Sequence, residues 1–166
     1  MTIRELLIVG VVFNSYWLLA VIGQSHYQWL LVICLLGCWW FYRDAWRFAL
    51  ILGTAGISMD IVLSLLGLFQ FHSVVLPFWL VMLWLGFGSF VWVTRHIIVV
   101  YSSYVVIGIG GLGGMLSYLA GYRLGAVNWP LGITVTALSL FACWLCFSAL
   151  TLVLIRRYDT QKAEEV

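Results

Sequence analysis

Asp60 lies in the middle of a long apolar run. A carboxyl at the centre of a bilayer costs about 2.5–3.5 kcal/mol on insertion scales, so such a residue is a candidate proton, ion or headgroup site. The plainer alternative is an acid that only holds helices together by hydrogen bonding. Gly53, Gly56, Asp60, Ser64 and Gly67 follow one another at steps of three or four residues, which places them within an arc of about 80° on a helix. Small residues on one face admit a neighbouring helix closely, because lipid gives helices no hydrophobic reason to associate. Asn14 reaches a depth similar to that of Asp60 if their helices start level. Asp60, Asn14 and Ser64 therefore form a candidate intramembrane polar site.

A second stripe of small residues, Ser103, Gly110, Gly114, Ser117, Gly121 and Gly125, predicts that the third and fifth helices pack on each other through their glycines. The rival is a fifth helix loosened at Gly110 to Gly114 to line a polar site, as transporters do. Tyr118, Tyr122 and Arg123 crowd the outer end of this helix, with Asn128 beyond, and form a candidate site for an anion or a lipid headgroup. A snorkelling interfacial arginine is the plainer alternative. Cys143 and Cys146 form a CxxC, and Cys34 and Cys38 lie one turn apart. Reactive pairs need a place where thiolate is stabilised and accessible, whereas Cys143 and Cys146 lie mid-span among aromatic residues, which predicts inert buried thiols. His26 and His72 stand isolated in loops and offer no metal-ligand spacing. With no HExxH, paired carboxylates, Ser-His-Asp set or phosphate loop in the sequence, no catalytic, cofactor-binding or metal-binding residue is assigned and no cofactor is expected.

The elements that carry these residues follow from composition. Of 166 residues, 64% are hydrophobic and 8% charged, against roughly 25% charged in a soluble domain. The apolar runs are long enough to cross a hydrocarbon core about 30 Å thick. Breaks in them divide the chain into approximate spans 4–22, 27–42, 48–70, 76–94, 97–121 and 130–155. Helices, which satisfy their own backbone in lipid, are expected rather than barrel strands. Pro77 and Pro130 fall near two span starts, where a missing N–H costs nothing. The Leu6–Ile22 stretch is longer than a signal-peptide core and lacks a small-x-small cleavage site, so a retained first helix is expected.

The fold class is all-α: a polytopic bundle of about six transmembrane helices, one domain over residues 1–155 with a short cytoplasmic tail at 156–166. With the N-terminus inside, Arg4, Arg43, Arg47, Arg95, Arg156, Arg157 and Lys162 are cytoplasmic and only Arg123 lies outside, in line with the positive-inside rule. Both termini are then cytoplasmic. The 27–42 span covers only about 24 Å and is the weak point of this count. Trp29, Trp39, Trp40, Tyr42, Trp46, Trp79 and Trp129 lie near span ends and suggest a headgroup-level belt. Arg95 and His96 are placed in a tight turn. No basic stretch with interleaved aromatics suggests a nucleic-acid partner.

Several blocks resemble a known family: Gly56-Ile57-Ser58-Met59-Asp60 with Gly67, Pro77-Phe78-Trp79, Leu83-Trp84-Leu85-Gly86-Phe87, Gly110-Gly111-Leu112-Gly113-Gly114, and Ser117-Tyr118-Leu119-Ala120-Gly121-Tyr122-Arg123-Leu124-Gly125-Ala126. Together they are similar to an uncharacterised bacterial inner-membrane protein family (domain of unknown function 2878). Its members are often encoded beside cyclopropane-type fatty-acid synthases and other lipid-modification genes. The resemblance implies a multi-pass protein of the bacterial inner membrane in a membrane-lipid context. Ile61, Met115 and Trp92 replace the family's common Ser, Pro and Asn, which weakens the case for a shared catalytic site. The leading expectation is a non-catalytic or accessory component contacting membrane lipids or another membrane protein. One rival is a small transporter or flippase using Asp60 as a proton or ion site. Another is a lipid-modifying or thiol-redox enzyme.

Overall fold

The computed structural model describes residues 2–71 and 76–164, the last six by backbone alone. His72, Ser73 and the side chain of Lys162 lie outside the described residues. The elements are α1 (Ile3–Gly23), α2 (Gln28–Phe41), α3 (Ala45–Leu65), α4 (Phe78–Ile98), α5 (Ser103–Arg123) and α6 (Ile133–Glu164). Five of these are long and apolar enough to cross a membrane, and the chain is a multi-pass helical membrane protein. The exception is α2, whose 14 residues rise about 21 Å.

Local chemistry explains where the helices begin and end. Thr2 and Glu5 form a reciprocal capping box at the start of α1, and Pro77 precedes α4. Both α3 and α5 end at a left-handed glycine, Gly67 (φ 76°) and Gly125 (φ 74°). In each case the next amide reaches back to close the turn, Leu68 to Leu63 O and Ala126 to Gly121 O. The spans expected to end near residues 70 and 121 therefore end at Leu65 and Arg123. Three residues beyond each cap, Gln70 and Asn128 pair through both backbone bonds, at 2.9 and 2.8 Å. Arg95 and His96, expected in a turn, occupy the last turn of α4. The Arg95 guanidinium lies 3.9 Å from the centre of the Trp92 ring.

Two close helix pairs dominate the packing, α3 with α4 and α5 with α6, while α1 and α2 both lean on α4. This corrects the expected α3–α5 contact. The small-residue faces of α3 and α5 each accept a neighbour, but the neighbour is α4 or α6. A Cβ on Gly56 would collide with the Trp84 ring, and one on Gly114 with the Trp144 ring. A Cβ on Gly53 would stand 3.0 Å from Leu85 Cδ2, and one on Gly110 would meet Ser148. On α4, Gly88 lies against the backbone of Ala49 and Gly86 against the Tyr16 ring. Gly67 and Gly125 pack nothing, since no atom lies within 4 Å of where a Cβ would be. They terminate helices. At Gly121 the nearest atom is Val127 Cγ1 at 3.9 Å, an ordinary contact.

Four residues, 99–102, join α4 to α5, yet these two helices diverge instead of packing. The wedge between them is a cleft of about 1000 Å³, walled by α1, α4 and α5 and floored by α6. Trp29, Trp40, Tyr42 and Trp46 are exposed, but Trp79 and Trp129 are buried. Trp39 turns inward to donate its Nε1–H to Ser89 Oγ at 2.9 Å. The expected aromatic belt is therefore confined to Trp29, Trp40, Tyr42 and Trp46, around α2 and the start of α3.

Gly114→Leu is expected to lower unfolding stability by about 1–3 kcal/mol, the usual cost of overpacking a tight contact. Gly108→Leu, with nothing within 4 Å of its Cβ position, is expected to leave it unchanged. Thermal unfolding in one detergent compares the two.

Candidate functional site

Trp84 lies flat over Gly56 of α3 because that glycine has no Cβ. One turn further along α3, Asp60 receives the Trp84 Nε1–H on Oδ2 at 2.7 Å. The other carboxyl oxygen, Oδ1, accepts from the Tyr118 hydroxyl of α5. Asp60 is 0% exposed. On α5 the pattern is mirrored: Trp144 of α6 lies over Gly114, and Tyr118 is one turn beyond. The two indoles then stack, with centroids 5.5 Å apart and planes 12° from parallel. Gly56, Trp84, Trp144 and Gly114 thus form four layers through α3, α4, α6 and α5. Two ring thicknesses keep α3 and α5 apart.

Phe147 meets both indoles edge-on, at 5.1 and 5.3 Å. Phe87 does the same at 5.8 and 5.5 Å. Trp144 gains its place through these ring contacts, since its own Nε1–H is buried with no acceptor among the described residues. An orphaned buried donor costs about 1–3 kcal/mol. Trp84, by contrast, has the carboxylate.

Further bonds tie the same region together. Trp17 of α1 donates to Ser117 Oγ at 2.8 Å, and Tyr16 donates to Met82 O at 2.7 Å. Thr136 Oγ1 donates to Leu68 O at 3.1 Å. Each crosses between elements.

The residues singled out from the sequence separate accordingly. Asn14 is not the partner of Asp60: its amide donates to Gly10 O of its own helix at 2.8 Å, and its side chain is exposed beside the cleft. Equal depth did not imply facing directions. Ser64 sits at the end of α3, where its carbonyl accepts the Gly67 amide. Tyr118 leaves the expected outer group and points to Asp60. Tyr122 stacks on Trp129 at 4.9 Å, and Arg123 is exposed. These three residues do not converge on one site. The cysteines are all free; of the pair expected to be buried, Cys146 is exposed and Cys143 half-buried, while Cys34 is also exposed, and α2 and α6 do not pack together. No group of three or more potential metal ligands is found among the described residues.

Trp84, Trp144, Trp17 and Ser117 were not assigned to the site from the sequence. A usable signal existed: tryptophan well inside a span, away from the headgroup level, carries a donor that needs a buried partner.

Trp84→Phe and Trp144→Phe remove similar volume, but only the first strips a donor from Asp60. Unfolding free energies are expected to fall further for Trp84→Phe, by about 1–3 kcal/mol relative to Trp144→Phe. Equal losses would mean that the Trp84–Asp60 bond carries no weight.

No curated protein and no solved structure matches this chain significantly. The family described as "Protein of unknown function (DUF2878)" matches residues 6–150. Covering nearly all of the helical region, that match establishes that the chain belongs to this family of unknown function.

Proposed function

We propose that this is a non-catalytic membrane component that holds the acyl chain of a membrane lipid between α4 and α5, as an accessory in a membrane-lipid pathway of the bacterial inner membrane. The observation that carries the reading is the cleft. Its volume of about 1000 Å³ lies at the upper end of small-molecule sites. Its lining is chiefly aromatic and aliphatic, from Trp79 to Ile98 along α4, about 28 Å of rise, close to the thickness of the hydrocarbon core. Ile109, Leu116 and Asn14 are exposed and line the cleft between α5 and α1, so lipid can enter from the side.

A non-catalytic role is supported by how the buried acid of α3 is used. Both Asp60 oxygens accept hydrogen bonds, and the residue is packed behind Trp84 and Tyr118, which themselves line the cleft. A transporter or flippase would instead need a hydrated route to that carboxyl. For a thiol-redox enzyme, cysteines on α2 and α6 would need to meet.

The proposed orientation places both termini in the cytoplasm. Phe48, Trp92 and Tyr158 touch, which gathers the start of α3 and the ends of α4 and α6 at one end of the bundle. Arg43, Arg47, Arg95, Arg156 and Arg157 belong to that end, and the antiparallel run of α1 along α4, with Phe13 on Phe90, brings Arg4 there too. Arg123 is at the other end. Reporter fusions are expected to read cytoplasmic after Tyr158 and external after Arg123, and the reverse would refute the orientation.

Protein purified in mild detergent is expected to retain lipid detectable by native mass spectrometry. Gly113→Leu projects a side chain into the cleft, where a Cβ meets nothing within 4 Å, and is expected to lose most of that lipid. Gly108→Leu should keep it. Retention of lipid by a folded Gly113→Leu protein would sink the reading.

A further inference from the structure

We infer that the lipid in the cleft is an anionic phospholipid, with its phosphate at Arg156 and its chain running between α4 and α5. The inference rests on the proposed acyl-chain site and adds the headgroup. At the end of the bundle that carries both termini, the cleft is bounded by Ile98, Tyr101 and Val105 on one side and by Leu152 of α6 on another. Arg156 lies one turn beyond Leu152 on α6. Its Nη2 donates to Ser103 Oγ at 2.9 Å, so the guanidinium is drawn across to the start of α5 at the mouth of the cleft. Side chains beyond the apolar wall are thereby cationic where a headgroup must sit if the chain is inside.

Charge at this end is net positive. Arg4, Arg43, Arg47, Arg95, Arg156 and Arg157 stand against Glu5 and Asp44 among the described side chains, and the tail beyond adds Lys162 with Asp159, Glu164 and Glu165. Glu5 is already engaged by the Thr2 amide at 2.9 Å. A zwitterionic headgroup would bring an ammonium into this field, whereas a phosphate carrying net negative charge is matched to it. A guanidinium also suits phosphate oxygens in geometry, presenting parallel donors in a planar fork. The anionic lipids that a leaflet supplies in quantity are phospholipids, which favours them over free fatty acids.

The test uses tryptophan as the reporter, because Trp17, Trp79, Trp84 and Trp144 line the cleft and bromine quenches on contact. Wild type, Arg156→Gln and Gly113→Leu are reconstituted in phosphatidylcholine vesicles with increasing chain-brominated phosphatidylglycerol, phosphatidylcholine or free fatty acid. In wild type, phosphatidylglycerol is expected to reach half-quenching at roughly fivefold lower mole fraction than phosphatidylcholine, the effect of about one surface cation. Arg156→Gln should bring the two curves together while both still quench. Gly113→Leu should weaken quenching by both. Equal curves for the two phospholipids in wild type, with quenching still weakened in Gly113→Leu, would overturn the headgroup assignment and leave the chain site intact. No difference between wild type and Gly113→Leu would overturn the chain site itself. Stronger quenching by the fatty acid than by phosphatidylglycerol would assign the site to a carboxylate and overturn the inference.

Discussion

A carboxyl group fully buried among apolar membrane helices has no water to turn to, so its hydrogen-bond donors have to come from other helices. Asp60 obtains two, the indole N–H of Trp84 from α4 and the hydroxyl of Tyr118 from α5. Because α3 supplies the acceptor, three helices meet at one side chain. The arrangement converts an expensive group into a specific one: in lipid, where apolar faces discriminate little between partners, a satisfied polar bond between helices selects one packing over its alternatives.

The glycines make that bond geometrically possible. Trp84 can reach Asp60 because its ring rests on the bare backbone at Gly56, and Trp144 completes the stack by resting on Gly114. The two indoles act as a spacer between the α3–α4 and α5–α6 pairs. A spacer also explains the cleft. Where rings fill the middle, α5 is held away from α4, and the four-residue connection beyond Ile98 lets the helices diverge. The proposed lipid site is thus a by-product of how the acid is satisfied, and the same aromatic residues serve as its wall.

Much of this architecture was legible in the sequence, and the failures have physical causes. Long apolar runs located the helices, and the Gly53–Gly56–Asp60 spacing placed small residues around the acid. The identity of the facing helix was not legible, because a glycine stripe says that something approaches closely without saying what. A second stripe on α5 looked like the complement of the first, but two concave faces need convex partners, and Trp84 and Trp144 are those partners. Asn14 was matched to Asp60 by depth alone, a coordinate that leaves rotation about the helix axis undetermined. Gly67 and Gly125 share the spacing of packing glycines yet serve as left-handed caps, a role that only the backbone conformation reveals. Tyr118 was read by its nearness to Arg123 in sequence, whereas five residues of helix turn the two about 140° apart and Tyr118 faces inward to the carboxyl.

The central claim is that Asp60 and Tyr118 are energetically coupled across α3 and α5. A double-mutant cycle on unfolding free energy, using Asp60→Leu, Tyr118→Phe and the pair, measures that coupling directly. Interhelical hydrogen bonds in membranes contribute about 0.6 kcal/mol on average and up to roughly 1.7, and a fully buried carboxyl should stand in the upper part of that range. Losses that simply add, with no coupling between the two positions, would contradict the account.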